Sequence, residues 1–257
     1  MQRLIAVCCG VFLLPDCSAA AAQPPGRIPA GFVYLGDVAP SIVQDMRYAT
    51  PNNFTGKPVD GYDAAECVLK LAAAKALERA QAKAQELGLS LKVYDCYRPG
   101  RAVRAFLAWA AAPEDDSSKR FYPNLQKSAL VPGYIASRSQ HSAGIAVDVT
   151  LINPSHPGTG PTHAGNCTAA PADRESDGSL DMGTAFDCFD PKASTASASV
   201  TPDQHNNRML LKRLLEGAGF QNYPAEWWHF FYAQAEGAKR YDFPVAPRSA
   251  RLPHLPK

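Results

Sequence analysis

Net charge is what this sequence has least of. Its 26 basic and 24 acidic residues leave a formal balance of +2 over 257 residues. No field of one sign is therefore available to hold nucleic acid or an anionic membrane. Long apolar runs are scarce too: Leu4 to Leu14 extends about eleven residues, where a bilayer-spanning helix needs roughly 20. No internal repeat and no heptad is visible. Beyond residue 22 no two cysteines stand at CxxC spacing, which removes a zinc–thiolate knuckle. What is present is an ordinary globular balance, 46% hydrophobic and 19% charged, in a chain long enough for a sizeable core. The 22 prolines argue for ordered turns and long loops and against a helix bundle.

The N-terminus reads as an address. Arg3 precedes the apolar run, and small residues from Ser18 to Ala22 match a signal-peptidase site, so residues 1–22 are expected to be a secretory signal and the protein to be exported, periplasmic or secreted. Cys17 offers a lipoprotein alternative, which Asp16 just before it disfavours. Cys8, Cys9 and Cys17 would leave with the signal. Cys67, Cys96, Cys167 and Cys188 remain, an even number that points to two disulfides among three possible pairings. Cys67–Cys96 would staple a helix to the next strand, and Cys167–Cys188 would close a loop.

Residues 23–257 read as one compact α+β domain with a central antiparallel sheet and helices packed on it. After a Pro/Gly-rich lead-in, Val33–Val38 and Ile42–Tyr48 look like strands. Asp63 to Leu87 looks like a helix, with Asp63 and Glu66 as a capping box, Leu69, Ala72, Ala76, Leu77, Ala80 and Ala84 at helical spacing, and Gly88 at its end. A strand over Leu91–Cys96, a helix over Arg101–Ala112 and a strand over Gly144–Ile152 follow. Residues 153–199 are poor in large apolar side chains and read as a long loop or insertion, of a length usually tied to function or mobility. Thr201-Pro202-Asp203-Gln204 opens a helix that Gly217 or Gly219 closes, and Trp228–Ala233 reads as a strand.

Three short stretches can carry chemistry. Ser139-Gln140-His141-Ser142-Ala143-Gly144-Ile145-Ala146-Val147-Asp148 sets an imidazole seven residues before a carboxylate, with a glycine to bend the chain between them. Both groups are good metal ligands, although a lone His–Asp pair is more often an ordinary hydrogen bond. Glu226-Trp227-Trp228-His229 supplies a further imidazole and a carboxylate able to hold water on a metal, amid aromatics that could exclude bulk solvent or simply fill a core. Tyr94-Asp95-Cys96-Tyr97-Arg98-Pro99 puts an arginine at a strand end, where it can stabilise an oxyanion or form a structural salt bridge with Asp95.

Taken together, Ser-x-His-x-x-Gly-x-Ala-x-Asp, a later Glu-x-x-His and an earlier Tyr-Arg-Pro closely resemble the D-alanyl-D-alanine dipeptidases, VanX-like zinc peptidases related to zinc D,D-carboxypeptidases. The likeness extends from Asp45-Met46-Arg47-Tyr48 to Asp242-Phe243-Pro244. It implies one zinc ion held by His141, Asp148 and His229, with Glu226 as catalytic base and Arg98 stabilising the transition state. It implies a dipeptide pocket at Tyr48, Ser139 and Asp187, the last suited to a substrate ammonium. The substrate implied is the small dipeptide D-Ala-D-Ala; a carboxypeptidase acting on peptidoglycan stems is the alternative. The family fold implied is again a compact α+β domain around an antiparallel sheet. Two departures stand out. Cys96 replaces an expected small residue, which a bond to Cys67 would explain, and residues 153–180 look longer than in cytoplasmic members, so the pocket entrance could differ. His156, His163, His205 and His254 are expected to be solvated.

Overall fold

A computed structural model describes residues 28–156, 165–235 and 237–248 of the chain, so the expected signal at 1–22, Cys17, His163 and His254 lie outside the described residues. Strand β1 (Phe32–Tyr34) runs into a single helical turn, α1 (Leu35–Val38), and a two-residue strand, β2 (Val43–Gln44), follows. Both are shorter than the sequence pattern predicts. Beyond Gln44 the chain curls into a 3-10 turn at Arg47–Ala49, because Arg47 is drawn inward to three carboxylates.

The expected helix from Asp63 begins instead at Leu71. Val68–Lys70 forms β3, paired antiparallel with β1, and Cys67 is bonded to Cys96. Tertiary pairing thus overrides local helix propensity, and Asp63 and Glu66 cap nothing. Helix α2 (Leu71–Glu86) buries Ala73, Ala74, Ala76, Leu77, Ala80 and Ala84, while Ala72 faces solvent. A face of alanines lets this helix lie close to the sheet. Strand β4 (Ser90–Asp95), helix α3 (Gly100–Ala111) and the later β7 (His229–Tyr232) fall within one residue of expectation, while β5 (Ala146–Ile152) starts two residues after the expected Gly144. Helix α4 (Pro202–Gly217) carries a full capping box, Thr201 with Gln204, and β6 (Phe220–Asn222) follows it.

Five strands form the main sheet in the order β2-β4-β5-β7-β6. Its core is antiparallel as expected, but β2 joins β4 in parallel, so the sheet is mixed. Central β4 and β5 are buried along nearly their whole length. Helix α2 packs against β4 and α4, and α4 against β6. The fold is α+β.

Residues 153–199 are not a loose loop where they are described. Ser179 bridges to Ile152, Cys167 is bonded to Cys188, and Asp177 enters a buried ion cluster. Its carboxylate lies 2.9 Å from Lys92 and 3.3 Å from Arg47, and it accepts a short hydrogen bond from the Tyr94 hydroxyl. Burial alone would raise the Asp177 carboxyl; Lys92, Tyr94 and Arg47 outweigh it and hold it below the usual range.

Asp177→Asn is therefore expected to lower stability by about 3 kcal/mol at neutral pH, because two buried cations lose their shared carboxylate. A carboxyl held low in the fold stabilises fully above its unfolded pKa of ~3.9, and that contribution is lost as the pH falls below it. Urea unfolding of both proteins at pH 7 and pH 3 should show the gap narrowing at the lower pH.

Candidate active site

Register builds the site. Asp148 on β5 lies directly opposite Asp95 on β4 and opposite His229 on β7. Paired residues on adjacent strands point to the same face, so three polar groups form one row across the sheet. His141 joins them from a 3-10 turn, His141–Ala143, that ends on Gly144 with φ at 72°. A side chain at Gly144 would stand 2.2 Å from the Phe32 ring, so the bend that returns His141 to Asp148 demands glycine. Glu226 sits in a tight turn before β7, and Asn222 clamps it by donating to the carbonyls of Glu226 (3.2 Å) and His229 (3.1 Å).

The donor atoms converge. His141 Nδ1 lies 2.6 Å from the Cys96 carbonyl. A carbonyl only accepts, so Nδ1 carries the proton and Nε2 presents a lone pair. That Nε2 is 3.0 Å from His229 Nδ1 and 3.3 Å from Asp148 Oδ1, and His229 Nδ1 is 2.9 Å from the same oxygen. Among the described residues this is the group of His, Cys, Asp and Glu side chains able to hold a metal ion. Two imidazole nitrogens and one carboxylate oxygen at these spacings fit a small tetrahedral ion with bonds of about 2.0–2.2 Å.

Electrostatics point the same way. Asp95, Asp148, Asp187 and Glu226 are all buried around one guanidinium, that of Arg98. Arg98 Nε donates to Asp95 at 2.8 Å, its Nη2 lies 3.5 Å from Asp148, and Tyr62 completes Asp95 with a 2.6 Å bond. Burial, then Asp148 and Asp187, push the Glu226 carboxyl up; burial and Asp148 do the same to Asp187. Burial alone would raise Asp148 itself, but His141 and His229 hold it low. Four carboxylates against one guanidinium is a site that favours added positive charge, and a divalent ion with one ammonium would balance it.

A cavity of about 340 Å³ opens over this cluster, with Tyr48, Arg98, Ser139, Asp187, Glu226 and Trp228 among its lining. Tyr48 donates to both Asp187 oxygens, at 3.1 and 3.0 Å. Ser139 lines the wall and its Oγ accepts the His141 amide at 3.2 Å. The eight sequence candidates thus meet at one place, and the alternatives posed for Arg98 coexist: it is salt-bridged to Asp95 and also faces the cavity. His156 is exposed and His205 half-buried on α4, and neither joins the cluster. Sequence reasoning missed Tyr62, Asn222 and the Cys96 carbonyl. A backbone acceptor leaves no trace in residue type, and a clamp such as Asn222 is defined only by the turn it holds.

Wild-type protein is expected to take up one divalent ion per chain, and Asp148→Asn or His229→Ala to take up none at micromolar metal. Equilibrium dialysis with elemental analysis checks this.

Known proteins resemble this chain over most of its length. A family model described as D-ala-D-ala dipeptidase matches residues 29–160 and 152–246. A D-alanyl-D-alanine dipeptidase of Enterococcus faecalis is 38% identical over 202 residues, 78% of this chain and 90% of the relative. The Streptomyces coelicolor protein of that name is 38% identical over 218 residues, 84% of this chain and 98% of its own. One from Escherichia coli is 32% identical over 206 residues, 79% and 85% of the two chains. With the match running across both halves of the cavity, the chain belongs to the D-Ala-D-Ala dipeptidase family of metal-dependent peptidases.

Proposed function

We propose that this protein is an exported zinc dipeptidase that hydrolyses D-alanyl-D-alanine to two D-alanines. The observation that carries the reading is the buried carboxylate quartet around Arg98, with a His–Asp–His donor set at one end and Asp187 at the other. Two imidazoles and a carboxylate are a donor set typical of catalytic zinc. When bound, zinc polarises the peptide carbonyl and makes water acidic enough to react near neutrality.

The chain's own groups supply the rest. Asp187, oriented by the Tyr48 hydroxyl, accepts the substrate ammonium and so selects a free N-terminus. Glu226 takes a proton from the attacking water and passes it to the departing amine. A carboxyl raised by burial is a better match to both halves of that shuttle than an ordinary one. Arg98, immobilised by Asp95, opposes the negative charge that develops on the carbonyl oxygen. Trp228 walls the site and limits bulk water.

Length selectivity has a support of its own. The Tyr223 hydroxyl donates to the Gly133 carbonyl at 3.2 Å, and both residues line the cavity, so two of its walls are tied together. That favours a dipeptide over a peptidoglycan stem. Two disulfides suit an oxidising compartment and support export, as does the N-terminal signal pattern. Among the described residues no helix is long and apolar enough to cross a membrane.

Zinc-loaded protein is expected to release amine from D-Ala-D-Ala, with little from L-Ala-L-Ala, N-acetyl-D-Ala-D-Ala or a D-Ala-D-Ala-terminated pentapeptide. Glu226→Ala should lose about 10²–10⁴-fold in kcat while retaining its zinc. Comparable cleavage of the pentapeptide would move the protein to the carboxypeptidase reading.

A further inference from the structure

The two disulfides each lie within a residue of a different end of the site. We propose that they are separate positioning devices: Cys67–Cys96 holds the metal end and Cys167–Cys188 holds the ammonium end. The first half rests on the metal site alone, and the second rests on the dipeptidase reading.

Cys96 follows the last residue of β4, where the strand's own pairing has ended. Within four residues the chain there supplies three separate supports of the site. Asp95 fixes Arg98 and lies 3.4 Å from His141 Nδ1, the Cys96 carbonyl accepts from that same nitrogen at 2.6 Å, and Arg98 faces the cavity. The Cys96 side chain bonds to Cys67, just before β3 in the other sheet, with the two Cα atoms 5.3 Å apart. Next to it the Tyr97 amide donates to the Val68 carbonyl at 2.9 Å. The peptide that carries the Cys96 carbonyl is thus pinned by one covalent link and one hydrogen bond. Its rotation would withdraw the acceptor that fixes the His141 tautomer and aims Nε2 at the metal position. Groups that orient metal ligands in this way are typically worth 10–100-fold in metal affinity or activity.

Cys188 follows Asp187, whose φ of 56° lies in the left-handed region that non-glycine residues seldom adopt. Such a conformation persists only where its surroundings enforce it. Here Ala185 donates to the Cys167 carbonyl at 2.9 Å, Phe189 donates to Phe121 at 2.8 Å, and Cys167 donates to Arg120 at 2.8 Å. Cys167 and Cys188 are therefore both moored to the segment around residues 120 and 121, and the disulfide joins the moorings. Among the described residues no hydrogen bond connects residues 185–190 with His141, Asp148 or His229, so this second brace reaches the ammonium pocket without a hydrogen bond to the metal donors.

The test compares Cys67→Ala/Cys96→Ala with Cys167→Ala/Cys188→Ala in the full mature chain. Both pairs should lower Tm, since each opens a loop, so Tm does not discriminate. The readouts are zinc affinity, by competition with a chelator of known strength, and kcat and KM for D-Ala-D-Ala at saturating zinc. The first variant should bind zinc at least about tenfold more weakly, with KM close to wild type. The second should keep zinc affinity within about twofold and show KM raised about tenfold, the loss expected when a charged partner is misplaced. Equal zinc affinity in both variants, or the same kinetic profile in both, would overturn the proposal. Where the first variant does not fold, Cys67→Val/Cys96→Ala restores core volume and carries the comparison. Failure of both versions to fold would also overturn it, because the bond would then be a requirement of the fold. Wild-type protein inert towards D-Ala-D-Ala sinks the dipeptidase reading instead, and the zinc comparison still decides the first half.

Discussion

Buried negative charge is the constraint from which the rest of this structure follows. Asp95, Asp148, Asp187 and Glu226 surround a single guanidinium in the interior, where an unpaired carboxylate is costly. The surroundings of each carboxyl therefore define its task. Asp95 is saturated by Arg98 and Tyr62 and serves as an anchor. Asp148 is stabilised as an anion by His141 and His229. Glu226 and Asp187 are left pushed up, because burial and their acidic neighbours disfavour a further anion. The unrelieved part of the charge is the part that binds cations, so metal affinity and preference for a free ammonium come from the same imbalance.

The fold meets that constraint by using strand register where distance matters and irregular backbone where direction matters. Asp95, Asp148 and His229 stand in one row because β4, β5 and β7 are adjacent and antiparallel, an arrangement that needs no long loops to hold it. His141 and Asp187 cannot be supplied that way. Each is delivered at a backbone position in the left-handed region, Gly144 in one case and Asp187 itself in the other. Glycine removes the cost at 144, where the Phe32 ring leaves no room for a side chain. No such relief exists at 187, since the carboxylate is the point of the residue, and there the neighbours enforce the conformation.

The chemistry was more legible in the sequence than the scaffold that aims it. Residue type and spacing single out His141, Asp148, Glu226 and His229 only as candidates, which the family resemblance joins into one site, while the helix start at Thr201 and the buried strand at Ala146–Ile152 follow from local rules. The start of α2 does not. Local spacing favours a helix from Asp63, but Cys67 and Val68–Lys70 are claimed by partners distant in sequence, Cys96 and β1. The same is true of residues 153–199, whose composition reads as loop. Asp177 there has no apolar neighbours to betray its burial, because its partners Arg47, Lys92 and Tyr94 come from other parts of the chain. Pairings of that kind exist only in three dimensions.

Substrate size explains why so much of the structure serves rigidity. A dipeptide has few atoms, and a cavity of about 340 Å³ leaves little apolar area from which to draw binding energy. Recognition must then come from a few polar groups, the ammonium and the scissile carbonyl foremost, held at a fixed separation. Misplacement of either group by about 1 Å can cost on the order of 10²-fold in rate. An enzyme for long peptides can distribute that burden over many subsites; a dipeptidase cannot. Bracing the metal end and the ammonium end independently, one through the end of β4 and one through the long segment after β5, keeps the two recognition points from drifting together when either element flexes.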